Sequence, residues 1–169
     1  MPRRGRLAMR DHLFNTEKLT YVKGGKPAVA CILCAIRDRD PAVTSLEVAR
    51  RDGFIVSVNL YPFNPGHLMI FPERHVEKLQ ELTDGEALAL HRLTADALTA
   101  LEDEYGPAGF NAGYNLGDHS GASLAHIHLH VVPRFANEVG YLDILAGTRL
   151  VVRDPVEARD RLRKRLGQE

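Results

Sequence analysis

His126-Ile127-His128-Leu129-His130-Val131-Val132 alternates ring and aliphatic side chains without a break. In an extended strand, successive side chains point to opposite faces. The three imidazoles then share one face, while Ile127, Leu129 and Val131 enter a core on the other. On a helix His128 would lie roughly opposite His126 and His130. The β-branched neighbours also favour a strand. The segment reads as a half-buried strand that presents three rings titrating near neutrality on one surface.

Working outward, Gly109–Leu116 reads as the strand before it, linked by the turn-rich Gly117-Asp-His-Ser-Gly-Ala122. Thr83-Asp-Gly-Glu86 is a capping box. Ala87, Leu90, Thr94, Ala97, Leu98 and Leu101 follow at helical spacing, and Gly106-Pro107 stops the helix. About five turns result, enough to cover one face of a sheet. Ser45–Arg50 and Phe54–Asn59 flank Arg51-Asp52-Gly53, a hairpin signal. Pro62, Pro65 and Gly66 mark a loop, and His67–Phe71 is a third strand ended by Pro72. Strands joined by short links give an α+β domain, a five-stranded antiparallel sheet with a long helix on one face. Residues 1–27 read as an arm, 28–153 as the domain and 154–169 as an exposed helical tail.

The chain has 169 residues, with Lys plus Arg at 22 and Asp plus Glu at 22, so no net charge. That excludes a broad basic surface for nucleic acid or an anionic membrane. Hydrophobic residues at 44% exclude long disorder. No apolar run approaches the ~20 residues that span a bilayer. The basic Met1–Arg10 is followed by no apolar stretch of the signal-peptide kind. A cytoplasmic protein is the expectation.

Two chemistries suit the histidine strand. Three imidazoles can bind a catalytic zinc. Alternatively, one ring is a nucleophile while its neighbours handle phosphate oxygens and a leaving group. Ser120-Gly-Ala-Ser123 offers backbone N–H groups and hydroxyls for an anion. No adjacent carboxylate stands ready as base beside a zinc-bound water. Nucleophilic chemistry at phosphorus is favoured. His12 and His91 read as ordinary residues. Cys31-x-x-Cys34 lies in the short apolar segment Ala28–Arg37, expected to make one or two helical turns. The pair reads as half a zinc site, a redox pair or two buried small residues. The βαβ context of a redox motif is missing.

His126–Val132 resembles the signature of the histidine triad family of nucleotide hydrolases and transferases. Asn115, Gly117, Gly121 and Ser123 stand at that family's spacing before it, and Pro133-Arg134 follows. Asn59-Leu-Tyr-Pro-Phe-Asn-Pro-Gly-His67 and Pro72-Glu-Arg-His75 are also similar to the family. Roughly residues 28–140 are covered. The Tyr-Pro-Phe-Asn-Pro-Gly-His wording most resembles the bacterial branch that includes diadenosine tetraphosphate phosphorylases, or ATP adenylyltransferases.

The resemblance implies roles. His128 would attack the α-phosphorus of a nucleoside 5′-polyphosphate and carry a covalent nucleotidyl group. His130 and His126 complete the catalytic triad, and His130 would touch phosphate oxygens. Ser123 would meet the phosphate or leaving group, Asn115 an α-phosphate oxygen and Asn59 the ribose. Gly121 belongs to the nucleotide-binding loop. Residues near Phe54 and Leu60 would pack on the base. Ala122 stands where many family hydrolases carry glutamine, which leans toward the phosphorylase-like branch. Cys31, Cys34, His75 and His126 would hold a structural zinc, closed and therefore unable to activate water. No organic cofactor is implied. A homodimer with sheets joined across a two-fold axis is implied, with an adenine nucleotide as the small-molecule partner. A nucleotide-binding sensor with little turnover is the alternative. His67 is expected to support the triad and His119 to be an exposed loop residue. Arg159–Arg165 is expected to be a solvated face, with a subunit contact as the alternative.

Overall fold

The computed structural model describes residues 27–117, 119–120, 123–136 and 154–167. Asp52-Gly53 closes a two-residue hairpin between β1 (Glu47–Arg51) and β2 (Phe54–Val58). Both turn residues have positive φ, 52° and 76°, as a twist-matched hairpin turn requires. β3 (Leu68–Pro72) pairs antiparallel with β2. The chain then crosses one face as α2 (Asp84–Tyr105) and returns as β4 (Gly109–Gly113) and β5 (Leu129–Arg134). The sheet order is β1-β2-β3-β5-β4, antiparallel throughout. β5, not β4, docks on β3, so the histidine strand is interior and, among the described residues, β4 forms an edge. A short helix α1 (Ile32–Arg37) precedes the sheet, and a 3₁₀ turn spans Leu79–Glu81.

The ends of α2 follow the sequence. Thr83 accepts from the Glu86 N–H while the Glu86 carboxylate takes the Thr83 N–H, and Gly106 closes the helix in the left-handed region. Its buried stripe is Leu90, Leu93, Ala97, Ala100 and Leu101. Ala87 is exposed and falls outside that stripe.

The sheet separates two apolar layers. Phe54, Val56, Val58, Leu68, Ile70, Leu129 and Val131 face α2 and α3 (Pro155–Leu166). On the other face, Ile55 and Phe71 pack with Leu33 and Ile36 of α1. The terminal helix is not merely a solvated tail. Ala158, Leu162 and Leu166 recur every fourth residue and are buried in the main core. A fully buried leucine contributes roughly 1.5–3 kcal/mol. The arginines lie on the opposite side, where Arg161 and Arg165 both donate to Glu104 of α2.

The histidine segment enters the ladder later than the alternation implies. Ladder pairing begins at Leu129, opposite Ile70. The preceding Ile127 N–H is taken by Val76 O at 2.7 Å, outside the sheet. That detour carries His126 toward the cysteines. The N-terminal arm and Gly121 lie outside the described residues. Among the described residues, no helix is long and apolar enough to cross a membrane.

Candidate active site and metal centre

His130 sits in β5 between Met69 of β3 and Gly113 of β4. Its neighbours Leu129 and Val131 face the helical layer, so its ring emerges on the α1 side. The His128 ring follows, with centroids 4.7 Å apart and planes at 74°. His128 is 5% exposed, and its Nδ1 lies 2.9 Å from His126 O. A carbonyl only accepts, so Nδ1 carries the proton and Nε2 keeps its lone pair. Burial pushes the His128 pKa below its ordinary value, which keeps the ring neutral.

A second chain of hydrogen bonds fixes His130. The Phe63 N–H donates to His67 Nδ1 at 3.2 Å. The proton of neutral His67 is therefore on Nε2, and it is donated to His130 Nδ1 at 3.0 Å. The His130 proton is left on Nε2. The Asn115 amide lies 3.4 Å from that atom. An amide can turn either end inward, and an N–H selects its oxygen. Two adjacent rings thus present complementary atoms, a lone pair on His128 and a donor on His130.

The third histidine does other work. His126 is buried, and its Nε2–H donates to Pro72 O at 3.0 Å. Its Nδ1 faces Cys31 Sγ at 3.5 Å and Cys34 Sγ at 3.6 Å. His75 Nδ1 lies 3.3 Å from Cys34 Sγ, while its Nε2 meets the Glu77 carboxylate at 3.2 Å. All four candidate ligand atoms lie within 4.8 Å of one another. Bond lengths of about 2.3 Å to sulfur and 2.0 Å to nitrogen give tetrahedral S···N edges of roughly 3.6 Å. The observed spacings fit, and both ring lone pairs are turned inward by their outer hydrogen bonds. The cluster can hold a metal ion. Burial, with Cys31 alongside, pushes the Cys34 thiol up to about 11. Burial, with His75 beside it, pushes His126 down to about 4.

Other candidate residues fall around this core. Ser123 is exposed, three residues before His126, in a groove with Leu116 and Gly117. Asn59 stands at the end of β2, where its Oδ1 takes the Tyr61 N–H and its own N–H reaches His67 O. Its hydrogen bonds thus serve the loop that carries His67. Phe54 is fully buried on the helical side of the sheet. Leu60 and Phe63 are exposed instead. His119 is exposed with φ 68°.

Three contributors escape the sequence reading. Phe63 stacks on His67 at 4.9 Å and fixes its tautomer. Asn64, buried, donates to Pro133 O at 2.6 Å and ties the loop to β5. Glu77 orients His75. The signal was present for the first two, since both stand between the prolines of a loop that ends at a histidine.

The HIT domain family model matches residues 40–137. An AP-4-A phosphorylase of Mycobacterium tuberculosis is 43% identical over 107 residues, 63% of this chain and 55% of that protein. The chain thus spans little more than half of that relative. A bis(5′-nucleosyl)-tetraphosphatase (asymmetrical) of Schizosaccharomyces pombe is 32% identical over 77 residues, 46% of this chain and 42% of its own. The crystal structure of a Zn-bound histidine triad family protein from Mycobacterium smegmatis superposes with a TM-score of 0.65 at 25% identity, covering 82% of this chain and 94% of that one. The paired rings on an interior strand and the family match across that strand agree, and the chain belongs to the HIT domain, or histidine triad, family.

Proposed function

We propose that the protein cleaves dinucleoside polyphosphates of the diadenosine tetraphosphate kind at an α-phosphorus, as a nucleotidyl hydrolase or transferase. The observation that carries this reading is the His128 Nδ1–H bond to His126 O, which leaves Nε2 as an unprotonated nucleophile. Nε2 attacks the α-phosphorus, an N–P bond forms, and the bond to the bridging oxygen breaks. The electron pair leaves on a polyphosphate anion, which needs no proton at neutral pH. The positive charge on the nucleotidylated ring is met by the His126 carbonyl at Nδ1. His130 Nε2–H stabilises a phosphate oxygen, and Ser123 serves the departing side. A second displacement, by water or inorganic phosphate, returns His128 free with retention at phosphorus. The phosphorylase and tetraphosphatase among its relatives favour this substrate class.

Cys31, Cys34, His75 and His126 hold zinc in the same reading. A zinc ion there would be closed by four ligands and serve as a structural clasp. Its effect on this chain is to fix His126, whose carbonyl in turn orients His128. A homodimer is proposed through β4, whose outer edge is exposed at Asn111, Ala112 and Gly113 and which, among the described residues, pairs only with β5. Sedimentation of wild type as a monomer would remove that part.

The catalytic test uses α-³²P-labelled diadenosine tetraphosphate and an alkaline quench, since a phosphohistidine is acid-labile. Label should remain on wild type and vanish in His128→Gly. Phosphate-dependent release of ADP with ATP identifies a phosphorylase, and AMP with ATP a hydrolase. Absence of both trapped label and turnover in wild type refutes the reading.

A further inference from the structure

The four metal-facing side chains come from separate pieces of chain. Cys31 stands at the N-cap of α1 and Cys34 in its first turn. His75 follows the end of β3 by three residues, and His126 is bonded to that segment at Pro72 O. α1 has six residues, too few to be stable as a helix by itself. Leu33 and Ile36 seat it on Ile55 and Phe71. Apolar burial is non-directional, so it sets the depth of α1 but neither its rotation nor its sliding.

Arg50 supplies the direction. It lies in β1 opposite Ile55, on the α1 side of the sheet. Its Nη2 donates to Arg37 O at 2.9 Å, at the C-terminal end of α1, where carbonyls lack partners within the helix. Its Nη1 donates to the Glu73 carboxylate at 3.1 Å. Arg37 Nη1 donates in turn to Glu73 O at 2.8 Å, and the Glu73 N–H is held by Gly53 O at 2.8 Å. One guanidinium therefore joins a residue three beyond Cys34 to a residue two before His75. A β-bulge aims it. Glu47 pairs with Ser57 and Ala49 with Val56, so β1 spends three residues where β2 spends two. Val48 and Ala49 both enter the helical core, and Glu47 and Arg50 fall on the same face. The Glu47 carboxylate takes Arg50 Nη2 at 2.8 Å and Nε at 3.3 Å. Acceptors in three places suit a planar fork of donors and not the single point of a lysine ammonium.

We infer that Arg50 is a positioning residue for the metal clasp, presenting Cys31 and Cys34 to His75 and His126 before an ion is bound. The inference rests on the reading in which those four residues hold zinc. Arg50 is not itself a ligand and acts through the chain at Arg37 and Glu73. Once four ligands are bonded to an ion, those bonds hold α1 in place. The network therefore matters most in the metal-free protein, where it lowers the ordering cost of capture.

The test is zinc affinity of the intact protein, measured by competition with a chromophoric chelator and independent of turnover. Arg50→Met should weaken zinc about 30-fold and Arg50→Lys about tenfold, each still taking up the same amount of zinc as wild type. Arg51→Lys is the control, because Arg51 is the next residue of the hairpin and pairs with Asp96 of α2. It should stay within about twofold of wild type. Cobalt loaded in place of zinc should give the same thiolate-to-cobalt absorption in wild type and both Arg50 variants, since the ligands are unchanged. The inference is overturned if Arg50→Lys binds zinc as wild type does, if Arg51→Lys weakens zinc as much, or if the cobalt spectrum changes. Arg50→Lys keeps the charge in place, so its comparison stands even where Arg50→Met does not fold. A wild type that takes up no zinc would overturn the clasp reading, and the inference with it.

Discussion

His67 Nε2 donates to His130 Nδ1 across 3.0 Å, and the proton's position is set from a third residue, by the Phe63 N–H on His67 Nδ1. His67 is fully buried, so in the proposed reaction it is a positioning residue that works through His130. His67→Phe should therefore lower kcat by about 100-fold with little change in KM, because the donor on His130 is no longer fixed toward the phosphate. His67→Gln, whose amide can still donate, should recover part of the loss. A rise in KM at constant kcat would contradict this positioning role.

The metal clasp should be measurable by itself. One zinc per chain is expected by mass spectrometry of the native protein. Cys34→Ser should lose it, whereas His128→Gly should keep it. Tight binding to the folded state at about 1,000 times Kd stabilises by roughly 4 kcal/mol, so chelation should lower Tm by about 10 °C. An unchanged Tm after verified zinc removal would show that the clasp is dispensable.

Leu162 of α3 is fully buried, whereas Arg161 on the same turn is exposed. Leu162→Ala should destabilise by about 3 kcal/mol in urea unfolding. Arg161→Ala should stay within about 0.5 kcal/mol. Equal effects would mean that the terminal helix is not part of the core.

Acid should find the capping box. Hydrogen bonds from Arg74 and from the Thr83 N–H hold the Glu86 carboxyl at about 2, below its ordinary 4.5. A depressed carboxylate stabilises the fold fully above its unfolded value and loses that contribution as pH falls through the folded one. The stability gap between wild type and Glu86→Gln should be constant above pH 5 and shrink between about pH 4.5 and 2. At neutral pH the gap should be about 1 kcal/mol. A gap that does not vary over that window would remove the carboxylate's role.

Local rules with a short reach made much of this molecule legible. Asp52-Gly53 needs positive φ and obtains it, and Thr83 with Glu86 caps α2. The alternation at Leu129–His130–Val131 assigns faces correctly. What stayed hidden depends on distant partners. Nothing within 126–132 announces that Val76 will take the Ile127 N–H and delay the strand. The apolar spacing of Ala158, Leu162 and Leu166 is visible, but the arginines between them read as a solvated helix until Glu104 is seen to receive two of them. The direction of donation between His67 and His130 requires a backbone N–H that no motif encodes. Phe54 itself lies in the core on the helical side, because parity along β2 decides which face each residue takes.

The insertion of β5 between β3 and β4 also sets a timetable for folding. His67 and His130 are 63 residues apart, and Cys34 and His126 are 92 apart. The contacts that join His67 to His130 and the cysteines to His126 span the long helix between them. Contacts of such separation form slowly, because the entropy of closing the loop precedes the reward. A chain that stops at β4 holds both cysteines, His67 and His75, but not yet His126, His128 or His130. One stretch of chain therefore completes both clusters, since the residues from 126 to 130 supply His128 and His130 to one and His126 to the other.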